Sequence, residues 1–561
     1  MSQDKLFVIA IGGTGMRCLE SFTHLCGIGM FDNQEIEVLT LDTDATNGNK
    51  VRVEGLIENY NRIKTFGTTE NDKGGNPNAN TFFSAKLNLH RYWTNYSGDK
   101  RDNFKALSQI DLGTDNVKEN NKLIADLFLD TNTVQEFDLS HGYRAQTHLG
   151  SMLMYHGIVE SARNCAQGKG VKPELDLEKF CDKLVTAGSN ARVFILGSVF
   201  GGTGASSIPV IPKALKKFAE VRSNNQSTIN VENVKFGATL LTEYFTFKKP
   251  DNTEKKDKKN SIIADSSFFP LNSQAALQFY QADPTVKKCY KTLYHIGWPL
   301  ISKRADDEAA GKTITGGEDQ KNACHVTELL SACAAYDFFT RTKGMEDSSG
   351  DAEYVYKSAE FVNGSFNFKF DDFVGNDNNA GKIFANKLGA FFSLAHIVLS
   401  KNEGASGGTG DIGIKGFLKQ LADVNLTEYS SISDEECKDI NDYFKLFTYA
   451  SPNGKFEAGW LYQVNNSVAP GTFMFDSKSF PNTPGELKKL DVGSLFLDKA
   501  YHWSDSRSVK NLSGDRYDNF VRVLIETNYH QDEQKVKTVK EKFLAHIFNG
   551  ITKSQPNLIN S

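Results

Sequence analysis

The chain has 561 residues, of which 39% are hydrophobic, 24% charged and 11% aromatic, the make-up of a folded protein of several domains and not of a disordered one. Its 64 Lys and Arg stand against 69 Asp and Glu, a formal charge of -5 that argues against a globally basic nucleic-acid binder, so no DNA partner is expected. No apolar run approaches the roughly 20 residues of a spanning helix, and the 8 scattered cysteines contain no CxxC pair. A cytoplasmic protein without a membrane span or a structural zinc site is the expectation.

Residues 6–11 form a short continuous apolar run, the pattern of a strand covered on both faces, which stops at Gly12-Gly13-Thr14-Gly15. Met16, Leu19, Phe22 and Leu25 then recur at helical spacing, closed by Gly27 and Gly29. A second strand over 36–41 ends in Asp42-Thr43-Asp44, completing a doubly wound opening with its ligand face at the carboxyl ends of the strands. Residues 47–139 are polar and punctuated and read as an insertion with some helix around 116–127.

The regular pattern resumes with a helix over 147–164 and a strand over 191–196 that runs into Gly197-Ser198-Val199-Phe200-Gly201-Gly202-Thr203-Gly204. Behind this loop, Ile208, Ile211, Leu215 and Phe218 mark a helix with Pro209 in its first turn. Strands over 234–241 and 292–297 flank a lysine-rich surface loop at 248–260 and a helix at 272–281. Residues 320–325 open a core helix whose Val326, Leu329, Leu330, Cys333, Ala334 and Phe338 share one stripe. The rest, 343–561, reads as a second α/β domain with helices at 380–399 and 536–548 and strands at 460–464, 472–475 and 521–526. Gly407-Gly408-Thr409-Gly410 has no strand before it and reads as a linker.

Consecutive glycines directly after a strand let backbone N–H groups reach phosphate oxygens, and the following helix adds the favourable end of its dipole. Two such loops in one sheet point to a polyphosphate gripped from two sides. Neither Gly15-Met16-Arg17 nor Gly204-Ala205-Ser206 supplies the Lys-Ser/Thr of a Walker loop, which disfavours that class. A dinucleotide fold remains open, with Asp42 or Asp44 as ribose acid, although Cys18 stands where its third small residue belongs.

The segment 192–211, with Gly201, Gly202, Thr203, Gly204 and Pro209, resembles the signature of the tubulin and FtsZ superfamily, departing from it at Phe200, Ala205 and Ser206. Gly12, Gly13, Thr14 and Gly15 look like that family's first phosphate loop, and Asp42-Thr43-Asp44 like its second. His141-Gly142-Tyr143-Arg144 sits where a third is expected, with Gly74-Gly75-Asn76-Pro77 as a competitor. Asn272 and Asn322, the latter placed on the core helix, resemble the two guanine-reading asparagines, an amide being able to donate to O6 and accept from N1 and N2. Helix N-caps are the competing reading for both. The order of these motifs over roughly residues 5–340, with the pattern Gln320-Lys321-Asn322-x-x-His325-x-x-Glu328-Leu329-Leu330, looks most like the bacterial tubulin-like branch.

The resemblance implies a tubulin/FtsZ-like, Rossmann-type GTP-binding domain over 1–320 with the insertion at 47–139, a core helix over 321–342 and a C-terminal α/β domain over 343–561. It implies GTP and Mg2+ as ligands, self-assembly into filaments, and hydrolysis completed by acidic residues of the next subunit. Asp371 and Asp372 are the candidates for that role, with Asp347 and Asp351 beside them. The alternative is a nucleotide-responsive interaction subunit of a bacterial defence or conflict complex, with little turnover.

Overall fold

The computed structural model describes residues 4–31, 34–63, 81–94, 114–129, 147–223, 233–247, 265–299, 320–341, 352–358, 425–447, 457–467 and 538–554, with isolated residues and shorter pieces between them. Its centre is a parallel sheet of seven strands: β1 (Lys5–Ile11), β2 (Glu35–Asp42), β3 (Lys86–Trp93), β4 (Ala191–Leu196), β5 (Lys235–Leu241), β6 (Tyr290–Gly297) and β7 (Glu353–Ser358). They lie in the order β3-β2-β1-β4-β5-β6-β7. This is a Rossmann-like α/β arrangement, in which the strand order reverses between β1 and β4.

The continuous apolar runs follow from burial on both faces. On β1, Leu6, Val8 and Ala10 enter one core while Phe7, Ile9 and Ile11 enter the other. The first core takes α1 (Gly12–Gly27), α2 (Gly48–Ile63) and the core helix α9 (Val326–Thr340). The second takes α4 (Thr147–Ala166), α5 (Lys172–Ala187) and α7 (Ile211–Arg222). α3 (Asp115–Phe128) exposes Leu123, Ile124 and Leu127.

Several expectations change. The stretch 47–139, read as an insertion, supplies both α2 and the edge strand β3. The polarity of β3 is absorbed by its neighbours: His90 Nε2 meets Glu37 at 2.7 Å, Asn88 Nδ2 donates to Glu35 and Glu37 at 2.8 Å each, and Arg91 Nε meets Glu54 at 3.1 Å. The single helix expected behind the second glycine loop is two, a short α6 (Gly202–Ser207) and α7, separated by a turn at 208–210 that contains Pro209. Pro212, not Pro209, occupies the first turn of α7.

Past residue 343 the chain returns to the main sheet through β7, which pairs in register with β6. Helices α10 (Asp434–Phe447), α11 (Trp460–Asn466) and α12 (Val539–Ser554) join the same core as α1 and α2, where Tyr443 OH of α10 meets His24 Nδ1 of α1 at 3.0 Å and Phe548 of α12 packs against Phe82. Residues 460–464, expected as a strand, are the start of α11: Trp460, Leu461 and Val464 bury one helical face, and Trp460 Nε1 donates to Ser21 Oγ of α1 at 2.8 Å. Ile525, in the expected strand 521–526, is helical. The linker 407–410, the strand 472–475 and the lysine-rich 248–260 lie outside the described residues. All eight cysteines are free thiols, and Cys289 alone is not fully buried.

Candidate functional site

The two glycine loops leave β1 and β4, the adjacent strands that flank the reversal of strand order. At such a point the neighbouring connections diverge to opposite faces and leave a crevice at the carboxyl edge. β1 passes into α1 with no residue between them, because Gly12 takes φ 65°, a left-handed conformation open to glycine. α1 has no side-chain cap hydrogen bond and no acidic residue in its own first turn, the combination that leaves the leading N–H groups of a helix to other acceptors. α6, behind Gly201, likewise lacks a side-chain cap.

The glycines divide by what a Cβ would meet. On Gly15 it would lie 2.5 Å from Leu196 O, and on Gly204 2.5 Å from Ser198 O; these two are closed in by backbone, which lets α1 approach β4 and α6 approach the loop before it. On Gly12 it would lie 3.1 Å from Thr203 Cβ, which brings the first loop against the second. On Gly201 it would meet nothing closer than Ser198 Oγ at 3.4 Å, and Gly202 is half-buried. Gly201 is thus the roomiest of these positions, whereas a Cβ on Gly13 would meet the side chains of Gln320, Asn49 and Asn47.

Asp42 closes β2 and is 2% exposed. Its Oδ1 accepts from Thr43 N at 2.8 Å and Asp44 N at 3.5 Å, whereas Oδ2 is buried with no hydrogen-bond partner. Burial pushes this carboxyl up to about 7, the Thr43 N–H opposes the shift, the charge of Asp44 adds to it and Lys50 counters it. Both oxygens of Asp44 are engaged by contrast. Its Oδ1 accepts from Thr46 N at 2.9 Å and Thr46 Oγ1 at 2.8 Å, and its Oδ2 accepts from Gly317 N at 2.7 Å.

Asn322 is in the irregular stretch before α9 and not on the helix, and His325 provides the N-cap. Asn322 faces the β2–α2 connection: its Oδ1 accepts from Asn49 Nδ2 and its N–H donates to Asn49 Oδ1, both at 3.1 Å. Asn272, inside α8 (Phe269–Ala282), donates to Phe200 O at 3.3 Å, beside the second glycine loop. Neither asparagine caps its helix, and each borders a different loop. Arg144, Asp371 and Asp372 lie outside the described residues, as do Asp347, Asp351, His141 and residues 74–77.

Sequence reasoning passed over two features. Asn47 and Gln320 join at 2.5 Å from Nδ2 to Oε1, next to the Asn49–Asn322 pair. Beneath the first loop, Arg17 of α1 meets Glu328 of α9 at 3.1 Å, with side-chain exposures of 2% and 0%. Arg17 also donates to Tyr244 OH at 2.5 Å, and Tyr244 donates to Glu328. The other Glu328 oxygen accepts from His325 N at 2.9 Å, so the capping box of α9 and the first turns of α1 share one ionic centre. A lone Arg and a lone Glu 311 positions apart in the numbering carry no periodic signal that would have joined them.

The fold and this edge define a Rossmann-like α/β protein whose two glycine loops lie side by side at the reversal of its sheet. The chain matches no protein-family profile, no curated protein and no solved structure. Among the described residues no group of three metal-ligating side chains occurs, and no helix is long and apolar enough to cross a membrane.

Proposed function

We propose that the chain is a GTP-binding protein of the tubulin/FtsZ type that hydrolyses GTP on self-assembly. One observation carries the reading: two glycine loops from β1 and β4 touch through Gly12 and Thr203 at the point where strand order reverses. The uncapped first turn of α1 and the amides around Gly201 and Gly202 bind phosphate oxygens without needing a lysine. Mg2+ takes only one or two carboxylates beside phosphate and water. The unpartnered Oδ2 of Asp42 fits that demand, and Asp44 holds the connection in place. When bound, the ion neutralises charge on the phosphates. In this reading Asn272 and Asn322 face the base, and Asp371 and Asp372 of one subunit complete the site of the next.

Equilibrium binding of GTP, GDP, ATP and NAD+ tests the ligand, with NAD+ included because a dinucleotide fold also keeps an acid at the end of β2. GTP preference lost in Gly202→Trp is the expected result; unchanged affinity in that variant would overturn the site. Light scattering with phosphate release, measured across protein concentration, tests the assembly. A steep rise in turnover with concentration is expected, and linear release without polymer refutes the filament. Tight GTP binding with no turnover and a stable hetero-complex would instead select the defence-complex alternative.

A further inference from the structure

The β2–α2 connection and the segment leading into α9 are laced together across the mouth of the site. Gly48 N donates to Gly317 O at 3.0 Å and Gly317 N to Asp44 Oδ2 at 2.7 Å. Asn47 then pairs with Gln320, and Asn49 with Asn322 on both side-chain and backbone atoms. Three of these side chains converge on the first glycine loop. A Cβ on Gly13 would lie 3.3 Å from Gln320 Oε1, 3.4 Å from Asn49 Nδ2 and 3.6 Å from Asn47 Nδ2. The first turn of α1 is where the helix dipole favours an anionic oxygen, and the negative end of the Gln320 amide dipole stands beside it.

We infer that the Asn47–Gln320 and Asn49–Asn322 pairs form an amide latch that occupies the approach to Gly13 and competes with the ligand. The inference rests on the phosphate-binding reading of the first glycine loop, and not on the identity of the base. Binding swings Gln320 away from Gly13, and because residues 320–325 lead directly into α9, opening the latch is felt at the start of the core helix. The latch lowers the apparent affinity by the ratio of all molecules to open ones.

The test uses the full chain with three probes: GTP, ATP and pyrophosphate. Gln320→Ala removes one hydrogen bond of the latch, and about a five- to tenfold tighter apparent Kd with a faster association rate is expected. Gln320→Glu keeps an acceptor for Asn47 and adds charge at the α1 terminus, so weaker binding of every probe is expected. Thermal melts without ligand confirm that both variants are folded. Unchanged or weaker binding in Gln320→Ala overturns the latch and leaves the GTP reading intact. Tighter pyrophosphate and ATP binding without GTP preference upholds the latch and refutes GTP, and no binding of any probe to any variant refutes both.

Discussion

Asp42→Asn isolates the cost of keeping a carboxylate with one bare oxygen at the end of β2. The folded state raises this group from 3.8 to about 7. A shift of about 3 units corresponds to about 4 kcal/mol at most. Since the folded value lies above the unfolded one, the fold favours the protonated form. Its contribution is present in full below about pH 4 and is lost as pH rises to about 7. The amide keeps the Oδ1 acceptor for Thr43 N and cannot ionise, but it places an unpartnered donor where Oδ2 was, at a cost of about 1–3 kcal/mol. The ligand-free variant should therefore be more stable than the wild type by about 1–3 kcal/mol near pH 8. It should lose that advantage near pH 5. Urea unfolding without divalent cations, run across this pH range, gives both profiles. Parallel profiles for the two proteins would refute the assignment of a buried, raised carboxyl to Asp42.

Two further predictions concern the frame around the site. Gly15→Ala drives a Cβ to 2.5 Å from Leu196 O, a backbone atom, and should destabilise the fold by about 1–3 kcal/mol or more in urea unfolding; a wild-type midpoint would show that α1 and β4 are less closely packed than described. Arg17→Ala strands Glu328 in the core and should cost about 3–5 kcal/mol, while Arg17→Met with Glu328→Leu should recover most of it. Equal losses in the single and double variants would mean that packing, not charge, dominates there.

The sheet strands at 6–11, 36–41, 191–196, 234–241 and 292–297 were legible because burial on both faces demands unbroken apolar runs, and each reappears within two residues at either end. β3 and α2 were not, since the polar side chains of Asn88, His90 and Arg91 find carboxylate partners that only the folded chain brings near. The same limit explains the asparagines. Asn272 and Asn322 stand out by their neighbours in the chain, whereas the partners of Asn322 and Gln320, which are Asn49 and Asn47, come from the far side of the crevice.

The sequence by itself determined a doubly wound α/β core and two glycine loops that directly follow strands, because local backbone sterics and apolar periodicity act over a few residues. Only the tertiary structure decided that those loops lie side by side at the reversal of the sheet, that Gly15 and Gly204 are closed in by backbone while Gly13 stands under three amide side chains and Gly201 has room beside it, and that Asp42 keeps an unpartnered oxygen while Asp44 does not. Those distinctions depend on which atoms strand order brings within a few ångströms, and residue type and spacing along the chain do not encode that separately for each glycine or each aspartate.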